Sequence, residues 1–160
     1  MKTCAFIGHR QMENVEGVKT ALEVLLEGLI VDENVTRFLL GSGSQFNGVC
    51  TDVLLKIKQK HPHIKRVYVR VEYHLEDNQS FVGELYDESY FPNCAVGAGR
   101  KAYVLRNQHM IDASDVVVFY YNPSYLPQGR MGKNCRRVSG TQIAYNYVLK
   151  KRKRFVNVFK

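Results

Sequence analysis

At 160 residues and 45% apolar side chains, the chain is long enough to bury roughly 70% of its unfolded surface without metal or disulfide staples. No apolar run reaches the roughly 20 residues that span a bilayer, since Glu23, Glu27 and Asp32 interrupt Ala21 to Val31; the first residues also lack a signal peptide's long apolar region, so a cytoplasmic protein with no membrane partner is expected. A net charge of +8 favours anionic partners such as nucleotides, nucleic acid or acidic protein surfaces, without choosing among them.

In chain order, Thr3 to Ile7 reads as a strand that stops on Gly8, His9 and Arg10. Val15, Val18, Leu22, Leu25 and Leu29 then mark one face of a helix from about Asn14 to Ile30. Thr36 to Leu40 is a second strand, followed at once by the turn "GSGSQFNG" and a helix carrying Cys50, Val53, Leu54 and Ile57, closed near Pro62. Val67 to Val71 alternates as a third strand. From about Leu75 to Gly99 the pattern weakens into a short helix and an irregular excursion, a candidate lid or partner surface. Lys101 to Asp112 reads as a helix, Asp115 to Tyr121 as a strand, Asn122 to Val138 as a polar loop, Gly140 to Lys151 as a helix and Phe155 to Phe159 as the last strand. The alternation predicts one domain over residues 1–160, an α/β three-layer sandwich whose mostly parallel sheet of about five strands has helices on both faces.

In such a sheet the strand C-termini share one edge, where ligands bind near the point at which strand order reverses. That edge would collect Gly8-His9-Arg10, Gly41 to Asn47, Glu72-Tyr73, Tyr121-Asn122 and Ser139-Gly140-Thr141. Gly41 and Gly43 permit close backbone approach, Ser42 and Ser44 offer hydroxyls, and the following helix directs N–H groups and positive potential outward, which suits a phosphate. The stretch is neither GxGxxG nor a Walker loop; the plain alternative is a tight strand-to-helix turn with Asn47 as cap. Ser139, Gly140 and Thr141 repeat the arrangement, so a ligand with two phosphates, or a phosphate and a ribose, would bridge both helix starts.

Arg10 and Arg106 are the cations expected nearest this site, with a solvated face or an ion pair to Asp112 or Asp115 as the alternative for Arg106. His9 is either a general acid or base or a local structural group, and Tyr121 at a strand tip could stack on a base. Cys4, Cys50, Cys94 and Cys135 form no CxxC pair and sit beside no histidine at ligand spacing, so they read as reduced thiols and no metal or cofactor is expected. The run Lys150 to Arg154 reads as cations at a helix C-terminus, with a nucleic-acid patch as the alternative.

Together, "CAFIGHR", the Gly/Ser-rich turn with Phe46-Asn47, "RNQHMIDASDVVVFYY" and "SGTQIAYNYVLKKRKRFVNVF" resemble the SLOG superfamily, and within it the YpsA-like branch related to the Smf/DprA and Lonely Guy proteins. The similarity runs in order through the chain apart from about Leu75 to Gly99. It implies a Rossmann-like sheet and a nucleotide or nucleotide-derived ligand. By position, Gly8, His9 and Arg10 match the family's Gly-His-Arg turn; Gly41, Phe46 and Asn47 match its Gly-Gly-Ala-Arg-Gly-Phe-Asp stretch; Arg106 and Asn107 match its Arg-Asn helix, and Gly140-Thr141 its Gly-Gly-Thr turn. Ser42, Ser44 and Gln45 replace Gly, Arg and Gly, removing a loop cation. Ala144 stands where the Lonely Guy phosphoribohydrolases carry their catalytic Glu, which speaks against that hydrolysis. The expectation is therefore noncatalytic binding of a nucleotide-like molecule by a sensor or sequestering protein. The alternatives are a hydrolase cleaving an N-glycosidic bond, using His9, Asp112 or a carboxylate of the excursion, and single-stranded nucleic-acid binding; a homodimer is left open.

Overall fold

A strand covered on both faces by helices needs an unbroken apolar run, and two segments have one: β1 (Lys2–Gly8), buried from Thr3 to Ile7, and β5 (Val116–Tyr120), buried throughout. The computed structural model describes residues 1–41, 43–71, 83–126 and 138–160. In it β1 and β5 lie side by side, joined by β2 (Val35–Leu40), β3 (Lys65–Val69), β4 (Glu88–Tyr90) and β6 (Arg154–Asn157) in one sheet of order β4-β3-β2-β1-β5-β6. Every neighbouring pair is parallel.

The period-two alternation of each strand divides its side chains between two cores. Phe6, Phe38 and Leu40 meet Leu22 and Leu26 of α1 (Val15–Val31) and Phe46 and Leu54 of α2 (Gln45–Lys60) on one face. Ile7, Leu39, Val117 and Phe119 meet Met110 and Ile111 of α3 (Ala102–Asp112) and Val148 of α4 (Gly140–Lys151) on the other. The expected Rossmann-like three-layer sandwich is present, with six strands rather than about five.

The added strand lies in the excursion expected to be irregular. β4 is only 3 residues long and half-buried at the sheet edge, too short for an alternating pattern to register in sequence. Side chains hold it instead: Arg37 bonds Glu88 at 3.0 Å, and Arg66 grips Asp87 at 3.1 Å. The third strand ends at Val69 rather than Val71, although the Arg70 N–H still donates to the Tyr90 carbonyl at 2.8 Å. Glu72 and Tyr73, expected at the site edge, and the start of the excursion lie outside the described residues.

From β1 the chain builds outward through β2, β3 and β4, then returns to the other side of β1 for β5 and β6. Strand order thus reverses between β1 and β5, whose last residues, Gly8 and Tyr120, are register partners. A crevice at the carboxyl ends of these strands is where an open α/β sheet accepts ligands.

Candidate functional site

The turn from β2 into α2 is organised by Ser44. Its Oγ accepts the Asn47 N–H at 3.1 Å, so Ser44, not Asn47, is the cap. Asn47 belongs to the first helical turn and points back: its Oδ1 accepts the Gly41 N–H at 3.0 Å and ties the turn shut. The expected cap fails because a serine one position before the helix already reaches the donor that Asn47 itself carries. Gln45 N–H donates to the Arg10 carbonyl at 3.0 Å, and the Met12 N–H donates to Gln45 Oε1 at 2.7 Å, so the loop after β1 is fastened to the start of α2.

The glycines of this edge fall into two kinds. A Cβ on Gly8 would lie 2.3 Å from the Phe46 ring, and one on Gly41 would lie 2.8 Å from Met110 Sδ and 2.9 Å from Arg106 Nε. Internal packing requires these two. By contrast, a Cβ on Gly43 or Gly140 would meet no atom within 4 Å, and neither residue has a left-handed φ. Their open backbone allows a ligand to come close. Ser42, between Gly41 and Gly43, lies outside the described residues.

Arg106, on α3, is 2% exposed. The helical spacing turns it inward beneath Gly41, where Nη1 donates to the Gly41 carbonyl. Nη2 and Nε donate to Asn107 Oδ1 at 3.2 and 3.4 Å, so both predicted residues of this helix act together. The guanidinium also lies 5.4 Å from the Tyr103 ring centre. Among the described residues no carboxylate reaches it, and neither Asp112 nor Asp115 pairs with it. Burial pushes its pKa down to about 10. Among the described residues this buried cation meets a carbonyl, an amide oxygen and the face of an aromatic ring, but no carboxylate.

His9 is also buried, at 2% exposure, but it meets burial differently. Nε2 accepts the Asn122 N–H at 2.9 Å across the crevice, which fixes the proton on Nδ1. Burial holds its pKa down at about 4, so the ring is neutral at pH 7. It links β1 to the segment after β5. Tyr121 stacks on Tyr145 at 4.4 Å, with its backbone clamped by Asn157 at 3.0 and 2.9 Å. Arg10 is exposed, one residue beyond His9, and makes no side-chain ion pair among the described residues.

α4 begins as α2 does. Ser139 caps it, accepting the Gln142 N–H at 3.0 Å. The N–H groups of exposed Gly140 and buried Thr141 make no backbone bond within the described residues, whereas at α2 the Gln45 N–H is taken by Arg10. Helix α4 therefore presents the more open anion-binding end. Ala144 is buried against the sheet among Ile111, Phe119 and Val148 rather than at the mouth.

Other predicted features lie elsewhere. Lys150 and Lys151 close α4, Arg152 turns the chain with φ 55°, Lys151 covers the Tyr147 ring at 5.4 Å, and Arg154 pairs with Glu33. This basic run leads into the start of β6, so it sits at the amino edge of the sheet, opposite the site. Asp112, at the last residue of α3, accepts the Tyr147 hydroxyl at 2.8 Å. Cys4 and Cys50 are buried thiols whose pKa burial raises, Cys94 is exposed, and Cys135 lies outside the described residues. Among the described residues no group of His, Cys, Asp and Glu is placed to hold a metal, and no helix is long and apolar enough to cross a membrane.

Sequence reasoning missed Tyr125, whose ring stacks on His9 at 4.0 Å. The available signal was "NPSY", Asn122 to Tyr125: an asparagine and a proline directly after a strand favour a tight turn that returns its fourth residue to the sheet edge.

The fold and this edge define an α/β protein with a Rossmann-like sheet and a crevice at the reversal of strand order. No family model matches the sequence, and no curated protein matches it significantly.

Proposed function

We propose that the chain binds a phosphate-bearing, nucleotide-like small molecule at the carboxyl edge of β1, β2 and β5, as a sensor or sequestering protein and without catalysing a reaction on it. The observation that carries this reading is Arg106: a guanidinium 2% exposed, anchored to the Gly41 carbonyl, with no carboxylate on it among the described residues. An anionic group at the adjoining turn would supply the missing charge, and the open backbone at Gly43 and Gly140 gives it room. Binding is favoured over N-glycosidic cleavage because two of the side chains considered for that chemistry, His9 and Asp112, are engaged otherwise. His9 is neutral and accepts a backbone N–H, and Asp112 bonds Tyr147 at the far end of α3. The family resemblance points the same way, since Ala144 carries no carboxylate.

Isothermal titration calorimetry with 5′-AMP, ADP and ADP-ribose tests the proposal. At least one should bind with a submillimolar Kd. Gly43→Ala, whose methyl meets nothing inside the protein, should weaken that binding at least ten-fold while leaving the unfolding midpoint unchanged. Binding no tighter than millimolar across the panel would remove the reading.

A further inference from the structure

The crevice between β1 and β5 is lined by a run of rings. Tyr145 stacks on Tyr121 at 4.4 Å, Tyr121 lies 5.8 Å from His9 at a tilt of 44°, and Tyr125 stacks on His9 at 4.0 Å and 17°. The inner members are covered on more than one side: His9 also meets the Tyr120 edge at 6.1 Å, and Tyr121 has Tyr145 on one side and His9 on the other. Tyr125 ends the run. It is half-exposed, and among the described residues its ring touches no aromatic group other than His9.

Its position is built rather than incidental. The Tyr125 N–H closes the turn on the Asn122 carbonyl at 3.0 Å, Asn122 Oδ1 accepts the Ser124 N–H at 2.9 Å, and the Asn122 N–H is held by His9 Nε2. Pro123 sits at the second position of that turn, where its fixed φ is favoured. A ring fixed by its own backbone and by a stack loses little freedom when it meets a second flat surface.

The Tyr125 stack is carried by the same turn that meets α2. Gly8 packs on Phe46 in the first turn of α2, the Arg10 carbonyl accepts the Gln45 N–H, and His9, between them in the chain, carries the Tyr125 ring.

We propose that Tyr125 is the ring-stacking, specificity-determining residue of this edge, selecting phosphate ligands that carry a planar base over those that carry a sugar alone. The proposal rests on the phosphate-site reading above.

Calorimetry with 5′-AMP and ribose 5-phosphate separates the two claims, using wild type, Tyr125→Phe and Tyr125→Leu, each checked by its unfolding midpoint. Wild type should bind 5′-AMP about ten-fold or more tighter than ribose 5-phosphate, the advantage a stacked base provides. Tyr125→Phe should keep that ratio. Tyr125→Leu should bring it to about one, with ribose 5-phosphate unaffected. An unchanged ratio in Tyr125→Leu overturns the role of Tyr125 while leaving the phosphate site standing. An equal loss of both probes at an unchanged midpoint overturns it too, because the ring would then support the loop rather than read the base. If wild type binds neither probe, this inference falls, and if ADP and ADP-ribose also fail to bind the phosphate reading falls with it.

Discussion

Two buried arginines on opposite sides of the sheet meet the same physical problem in different ways. Arg66, 4% exposed on β3, holds Asp87 through Nε at 3.1 Å, Nη2 at 3.3 Å and its own backbone N–H at 2.8 Å, and Lys58 joins at 3.3 Å. Burial alone would raise the Asp87 pKa, but the bonds to Arg66 outweigh it and hold the carboxyl below its ordinary range. Arg106, 2% exposed on α3, meets neutral oxygens and an aromatic ring and no carboxylate among the described residues, and burial drives its pKa down to about 10. The paired arginine closes a structural join, fastening the chain before β4 onto β3. Arg106, which meets no carboxylate among the described residues, sits under the turn after β2, where we propose the ligand binds.

This contrast predicts opposite mutational behaviour. Arg66→Met leaves Asp87 mostly buried and deprived of its main partner, and should cost about 3 kcal/mol in urea unfolding. Arg106→Met replaces an uncompensated charge with an apolar chain of similar length, and should change stability by less than about 1 kcal/mol. Equal losses would erase the distinction.

His9 sharpens the comparison as a third solution, burial met by giving up the charge. Its folded pKa of about 4 lies below the ordinary 6.5. As pH falls from 6.5 the unfolded chain takes up the proton first, so stability drops until about pH 4 and then levels off. Unfolding free energies across that range should fall about 2 kcal/mol further in wild type than in His9→Phe, which has no proton to bind there. Parallel curves for the two proteins would mean that His9 does not carry the acid sensitivity.

Sequence pattern located the elements with long periodic faces. The apolar spacing of Val15 to Leu29 predicts α1 from about Asn14, and Asn14 is its cap; Gly140 to Lys151 matches α4 residue for residue. β4 is not legible because it has 3 residues, fixed by Arg37 on Glu88 and by Arg66 on the preceding Asp87, contacts that no local window contains. The alternative that makes Asn47 the cap of α2 does not hold: Ser44 and Asn47 are both good capping residues, and the bond from the Asn47 N–H to Ser44 Oγ places Asn47 inside the helix. The helix places Arg106 near the site, yet helical spacing cannot distinguish an ion pair to Asp112 from the Gly41 carbonyl just after β2, since that depends on the sheet order. Tyr125 depends on a turn whose direction is set by His9, a residue over a hundred positions away in the chain.

Thermal unfolding with and without 5′-AMP tests the proposed contact between Arg106 and the ligand's anionic group most directly. At a hundred-fold excess over Kd, the ligand should raise the wild-type midpoint by about 5–10 °C and leave Arg106→Met unshifted. A shift of equal size in both proteins would show that the buried guanidinium takes no part in binding, and the account would be wrong at its core.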